Sequence, residues 1–257
     1  MVVTPIQIMV FMLVLARVAG LFISAPIISA KSVPAFVKIG LAIWLAVILW
    51  FVVPLPYGVP DSPALFLMAL VIEVFVGYTI GFISNLIIQS IQAAGDMADV
   101  QMGLSVANVL SPTTGLMTSV VGSLTFYIAM VVFFIVDGHH MIFAALHQSF
   151  RALPVTGALN FSGGVFVLQI IELIKFFWVT AIRLAAPSLL LIFLSDFSFG
   201  IVSRVAPQVN VFMLGFQVKP GLGLLGIMLV LPILTKQISG LIGSIGTELG
   251  RTFIVLK

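Results

Sequence analysis

The side chains able to do chemistry in this sequence are few. The stretch "DGHHMIFAALHQSF" gathers Asp137, His139, His140 and His147. His140 and His147 stand two helical turns apart, near one face of a helix, and imidazole with carboxylate is a donor set that metals use. A metal centre wants three or four ligands at fixed geometry, oriented by outer groups. These residues fit interfacial, hydrogen-bonded histidines better, so no metal and no cofactor is assigned to them. There is no Ser-His-Asp spacing, no phosphate-loop glycine pattern and no His-Glu helix motif for zinc hydrolysis, and the chain reads as a non-enzyme.

The second informative set is charge inside apolar runs. Arg17, Glu73, Glu172, Lys175 and Arg183 each interrupt a hydrophobic segment. An unpaired charge at a bilayer centre costs several kcal/mol on insertion scales, so such groups must pair, snorkel or face protein. Glu172 and Lys175 are three apart and able to neutralise one another on a helix. Arg183 follows Glu172 by eleven residues, which returns it to within roughly 20° of the same face. That spacing describes a polar seam against partner helices. Glu73, Gly77 and Gly81 follow at steps of four, and Gly240, Gly243, Gly246 and Gly250 form a similar strip. Small residues so spaced let helix backbones approach closely in lipid. Both strips read as assembly faces. Spacing alone leaves open whether the neighbour is this chain or another subunit, and the number of strips favours several subunits.

The elements that must position these groups follow from composition. Of 257 residues, 61% are hydrophobic and 7% charged, with a mean hydropathy of +1.31; a soluble domain carries about 25% charge. Uncharged windows after Lys38 and from Val100 to Val136 reach the roughly 20 residues that cross a bilayer as a helix. No period-2 alternation suggests a barrel. The fold class is therefore an all-α integral membrane protein with about six long, partly broken helices. Apolar segments run over Ile6–Ile23, Val37–Val53, Ala64–Ile91, Thr118–Val136, Val165–Leu194 and Leu222–Ile245, and "HHMIFAALHQSF" makes a helical piece too brief to span. The first segment has no Lys or Arg before Arg17, lacks the basic start of a cleaved signal, and reads as a retained helix. Cysteine is absent, so disulfides are excluded. The net charge of +3 is scattered and gives no nucleic-acid footprint. Basic residues in nearly every connection leave sidedness unassigned.

Two connections are unusual. "SRVAPQVNVFMLGFQVKPGLG", residues 203–223, sets Arg204, Gln208, Asn210, Gln217 and Lys219 between greasy segments, with Pro207 and Pro220 expected to break any helix. Such a stretch must face water or protein. "AGDMADVQMGLSVANVLSPTTGLM" is small-residue rich and broken at Pro112 and Gly115. Irregular backbone at membrane depth is tolerated only inside protein or lining a water-filled cavity. An apolar stopper made of Leu104, Val106, Val109, Leu110 and Leu116 could close a pore by dewetting, and Met97, Met102 and Met117 flank it.

The motifs "AAGDMADVQMGLSVANVLSP", "GHHMIFAALHQSF" followed by "LP", and above all "SRVAPQVNVFMLGFQVK" resemble the FliR family of flagellar export-gate proteins, whose injectisome counterparts are called SctT. The resemblance spans nearly the whole chain in order, from "ARVAGLFISAPIIS" to "PGLGLLGIMLVLP". Gln217 departs from the family's common Pro, and Val106 and Val109 stand where some members carry Phe.

What the resemblance implies is specific. FliR-like chains join FliP and FliQ in a conical assembly that passes unfolded flagellar proteins across the bacterial inner membrane, at the flagellar basal body, with part of the gate above the bilayer toward the periplasm. They contact FlhB and, by extension, FlhA. The chain would divide into a FliP-like portion, residues 1–170, and a FliQ-like hairpin, residues 171–257. The plug of the closed pore would be Gly103, Leu104, Val106, Val109, Leu110, Pro112, Gly115, Leu116 and Met117. Subunit contacts would involve Glu73, Gly77, Gly81, Glu172, Lys175, Arg183, Arg204, Pro207, Gln208, Asn210 and Lys219. Two readings from other classes stand beside it. One is a secondary transporter with Glu73 or Glu172 as coupling site, although no inverted internal symmetry is visible. The other is a membrane enzyme using the histidines.

Overall fold

Thr4 opens the first helix with a reciprocal cap. Its hydroxyl accepts from Gln7 N–H at 3.4 Å and its own N–H donates to Gln7 Oε1 at 3.0 Å, with Pro5 at the first helical position. The computed structural model describes residues 4–26, 28–29, 33–53, 60, 62–105, 119–156 and 163–256. Those residues form α1 (Pro5–Ser24), α2 (Ala35–Val52), α3 (Pro63–Met102), α4 (Val120–Ile135), α5 (Gly138–Ala152), α6 (Gly163–Val205), α7 (Val211–Gly243) and α8 (Ile245–Leu256), with no strand among them. Five helical stretches are long and apolar enough to cross a membrane: α1, α2, α3, α6 and the run through α7 and α8. The all-α membrane class expected from composition is the one observed.

The long helices exceed their expected lengths. The Ala64–Ile91 segment extends to Met102, because the mildly polar "QAAGDMADVQM" is built of residues that suit a helix whose polar face has partners. With 40 residues at about 1.5 Å each, α3 has a contour near ~60 Å, twice the hydrocarbon thickness; α6, with 43, is longer still. Pro207 does lie in a break, between Val205 and Val211, whereas Pro220 sits inside α7 together with Pro232. A mid-helix proline removes one backbone bond and bends the helix, and in lipid neighbouring groups re-satisfy the freed carbonyl. Pro220 is therefore a correction to the expected break.

At its C-terminus α3 stops on a glycine. Gly103 has φ +81°, its N–H donates to Val100 O at 3.1 Å, and Leu104 N–H reaches back to Asp99 O at 3.3 Å. This is a Schellman ending, in which the left-handed position favours glycine.

The chain packs as two units: Met1–Ile87 with Asp137–Leu173 and Gly243–Lys257, and Ile88–Val136 with Ile174–Ile242. Each draws on sequence from both sides of residue 170. In the first unit, Val10, Leu13, Val14, Val18 and Leu21 are buried on α1 at helical spacing. Phe11 meets Trp50 of α2 edge-on at 5.9 Å, and α8 lays Ile245, Leu249, Phe253 and Leu256 inward, packing on α5. In the second unit, Ala98 and Met102 of α3, Val121 of α4, Ile192 of α6 and Ile227 of α7 form the core, and Leu104 packs onto it.

Candidate functional site

The first unit is organised around one buried cation. Arg17 on α1 is 1% exposed and Glu73 on α3 is 2% exposed. Arg17 Nε donates to Glu73 Oε2 at 2.5 Å, Nη1 to Ser149 Oγ at 3.1 Å and Nη2 to the Leu153 carbonyl at 2.9 Å. The Phe150 ring lies 4.2 Å from Arg17 Cζ, a cation–π distance. A single guanidinium thus ties α1, α3 and the C-terminal end of α5. Its planar fork suits this task, since each nitrogen finds an acceptor in a different direction. Charges so deeply placed persist only when paired and hydrogen-bonded.

The helices can bring Arg17 and Glu73 together because small residues line their crossing. A Cβ on Gly77 would overlap the Arg17 carbonyl oxygen and come within 3.0 Å of Leu21 N, and one on Gly20 would lie 2.8 Å from Tyr78 N. Gly81 faces Leu21, Ser24 and Ala25, and Ser24 Oγ donates to the Tyr78 carbonyl at 2.8 Å. The Glu73, Gly77, Gly81 strip, expected at a contact with another subunit, therefore packs on the chain's own α1. Spacing recognises a close-approach strip but does not say which helix fills it.

The other expected contact residues divide into two groups. Lys219 forms an ion pair with Asp196 of α6, so this lysine too is engaged inside the chain. Asn210 accepts from Met213 N–H at 3.2 Å and acts as the N-cap of α7. By contrast Glu172, Lys175, Arg183, Arg204, Pro207 and Gln208 are exposed on this chain. Among the described residues neither Arg183 nor Arg204 has an ion-pair partner. The best spanning windows of α2, α6 and α7 are only 17% buried, against 44% for α1. Gly240, Gly243, Gly246 and Gly250 each have open space where a Cβ would stand.

Of the plug residues, Gly103 and Leu104 are described, and their local role is to end α3 and to pack on the core. A Cβ on Gly103 would also lie 3.2 Å from the Phe216 ring. Val106, Val109, Leu110, Pro112, Gly115, Leu116 and Met117 lie outside the described residues. At either edge stands a residue that the sequence reading passed over. Asp99 is 1% exposed, accepts from Ser105 Oγ at 2.6 Å through one oxygen and from Val121 N–H at 3.0 Å through the other. The available signal was two aspartates three apart, Asp96 and Asp99, in the mildly polar end of α3.

The histidine stretch brings three of its four members together. Asp137, His139 and His140 hold potential ligand atoms within 4.8 Å of one another, and His147 is not among them. Asp137 has a left-handed backbone at φ 55° just before α5, and its carboxylate lies 3.5 Å from His140 Nδ1, both well exposed. The His139 and His140 rings are 4.2 Å apart. The donor types would suit a divalent metal; Asp137 and His140 are exposed at the start of α5 and His139 is half-buried.

Fold and site together define an all-α integral membrane protein with a buried, hydrogen-bonded ion pair joining its helices. The chain belongs to the family described as bacterial export proteins, family 1, whose model matches residues 8–245. It is similar to the flagellar biosynthetic protein FliR of Bacillus subtilis (strain 168), with 33% identity over 210 residues, 81% of each chain. It is also similar to the flagellar biosynthetic protein FliR of Escherichia coli (strain K12), with 28% identity over 224 residues, 86% of this chain and 83% of the relative. The Yop proteins translocation protein T of Yersinia pestis is 28% identical over 211 residues, 81% of this chain and 80% of that one. The resemblance to the FliR family drawn from the motifs agrees with these matches.

Proposed function

We propose that this chain is a non-enzymatic core subunit of the flagellar type III export apparatus in the bacterial inner membrane. It assembles with FliP and FliQ into a pore for unfolded flagellar proteins, contacts FlhB and FlhA, and contributes residues 103–117 to the plug of the closed state. Residues 1–170 act as the FliP-like portion and 171–257 as the FliQ-like hairpin, in a gate that stands partly above the bilayer toward the periplasm.

The observation that carries this reading is exposed charge on helices that should be surrounded by lipid. Arg183 lies within the long apolar helix α6, exposed and without an ion-pair partner among the described residues, and the most apolar window of that helix is only 17% buried by the chain itself. Lipid leaves such a group at a cost of several kcal/mol, and neighbouring subunits remove that cost. The relatives' names supply the process, flagellar biosynthesis and protein translocation.

A transporter built on Glu73 is less compatible with this structure. Its carboxylate is held by Arg17 inside the protein, whereas a coupling site must exchange its ion with water. Native mass spectrometry of the complex in mild detergent tests the assembly; a chain recovered alone, monodisperse and active in liposomes, refutes it. Deleting residues 106–116, which spares the core contact of Leu104, tests the plug. The complex should persist and the membrane should leak small ions, and an unchanged leak removes the plug from the account.

A further inference from the structure

Between α4 and α7, inside the second unit, runs an apolar groove of about 580 Å³. One wall is a stripe on α4, Leu124, Ile128, Val131 and Ile135, at the three- and four-residue steps of a single helix face. The other is Leu231 of α7, followed on the same helix by Thr235, Lys236 and Ser239. α7 belongs to a stretch apolar enough to cross a membrane, and α4 carries no charged residue. A groove so lined takes hydrocarbon in preference to water.

Its rim is polar. Lys236 is exposed and has neither an ion-pair nor a hydrogen-bond partner among the described residues, and the hydroxyl of Ser239, one turn further, is likewise unengaged. Tyr127 stands on the opposite wall, 67% exposed, its hydroxyl also without a hydrogen bond among the described residues. Thr235 differs, since its hydroxyl donates to the Pro232 carbonyl at 3.0 Å. A lysine on an apolar helix needs a counter-charge or water for its ammonium, and no Asp or Glu lines this groove.

One cation, two hydroxyl donors and a hydrocarbon slot together complement an anionic amphiphile, whose head brings negative charge and several acceptor oxygens while its tail fills the slot. A partner's helix fits this rim less well, because its backbone groups are already bonded within the helix and only an acidic side chain placed at the right turn could meet Lys236. A phosphodiester accepts from the ammonium and the hydroxyls at once, and the bond to the ammonium is charge-assisted. The amphipathic ring of Tyr127 suits the boundary between tail and head.

We propose that this groove binds an anionic phospholipid, with an acyl chain along the α4 stripe and the phosphate on Lys236 and Ser239. The inference goes beyond the export role and does not depend on it, since it concerns a slot within this chain whichever subunits join it.

The test is native mass spectrometry of the protein, with the subunits it retains, delipidated in mild detergent and titrated with phosphatidylglycerol or with phosphatidylcholine of the same acyl chains. The wild type should bind phosphatidylglycerol about fivefold more tightly, the effect of one lysine at an anionic lipid surface. Lys236→Ala should lose that preference, Lys236→Arg should keep it, and Val131→Trp, which fills the slot, should lower binding of both lipids. Other subunits bind lipid too, so the quantity read is the difference between wild type and variant at equal subunit content. No difference between the two lipids, or a preference untouched by Lys236→Ala, overturns the proposal. So does a photo-crosslink from Tyr127→benzoylphenylalanine to a partner subunit, which would make the groove a protein interface. Lys236 is exposed, so Lys236→Ala decides even where Val131→Trp does not assemble. Partner recovery is read in the same spectra, which separates failure of the lipid site from failure of the assembly reading.

Discussion

Removing Glu73 should damage this protein more than removing Glu73 and Arg17 together. In Glu73→Ala the guanidinium keeps Ser149 and the Leu153 carbonyl, but Nε loses its acceptor and the charge its counterion, at a site 1% exposed. Breaking a buried pair in this way costs about 3–5 kcal/mol, a large part of a total stability of about 5–15 kcal/mol. For a chain of this length the melting point should fall by roughly 6–20 °C. The paired variant Arg17→Met with Glu73→Leu removes both charges. Ser149 Oγ loses the Nη1 donor but keeps its own bond to the Leu146 carbonyl at 2.7 Å, and the Leu153 carbonyl loses its donor, a cost of about 1–3 kcal/mol. The double variant should therefore be more stable than either single one. The assay is thermal unfolding of the detergent-extracted protein followed by far-ultraviolet circular dichroism, read as a double-mutant cycle. Single losses under about 1 kcal/mol, or a double loss equal to the sum of the singles, would refute the tie between α1, α3 and α5. Export by the apolar double variant would further separate a structural tie from ion coupling.

Glycines at two positions should respond oppositely. Gly77→Ala drives a methyl into the Arg17 carbonyl and should cost about 1–3 kcal/mol. Gly240→Ala meets open space in the isolated chain, and should stabilise it by up to about 1 kcal/mol while lowering recovery of partner subunits if that strip is an interface. Lys219→Ala removes a partly exposed pair within the chain, so stability should change by less than about 1 kcal/mol and co-purification of partners should be unaffected. Arg204→Ala should reduce that co-purification, and undiminished partners in the eluate would contradict a contact role. Metal analysis of the purified protein should return no stoichiometric zinc; one ion per chain, lost in His140→Ala, would revive the enzyme reading.

Some of the site was readable before any coordinate. Arg17 and Glu73 announced themselves as charges that had to pair, and the step-of-four glycines after Glu73 announced a close helix crossing. The pairing between them was not readable, because the two residues lie 56 positions apart and Ser149 lies 132 from Arg17. Lys219 was expected at a subunit contact, and its pairing was not readable because its partner Asp196 sits in a separate helix. Gly103, expected in the plug, also ends α3, a role visible in retrospect as a glycine followed by an apolar residue after a long helix.

By itself the sequence determined that the chain is helical, lives in a membrane and belongs with export proteins, since hydropathy over about 20 residues and short motif blocks are local properties. Tertiary structure alone decided which polar groups are satisfied at home, Glu73, Lys219 and Asn210, and which stand exposed, Arg183 and Arg204. The physical reason is that satisfaction of a buried charge depends on which helices cross and at what rotation, a relation between distant segments that no periodicity within one segment encodes.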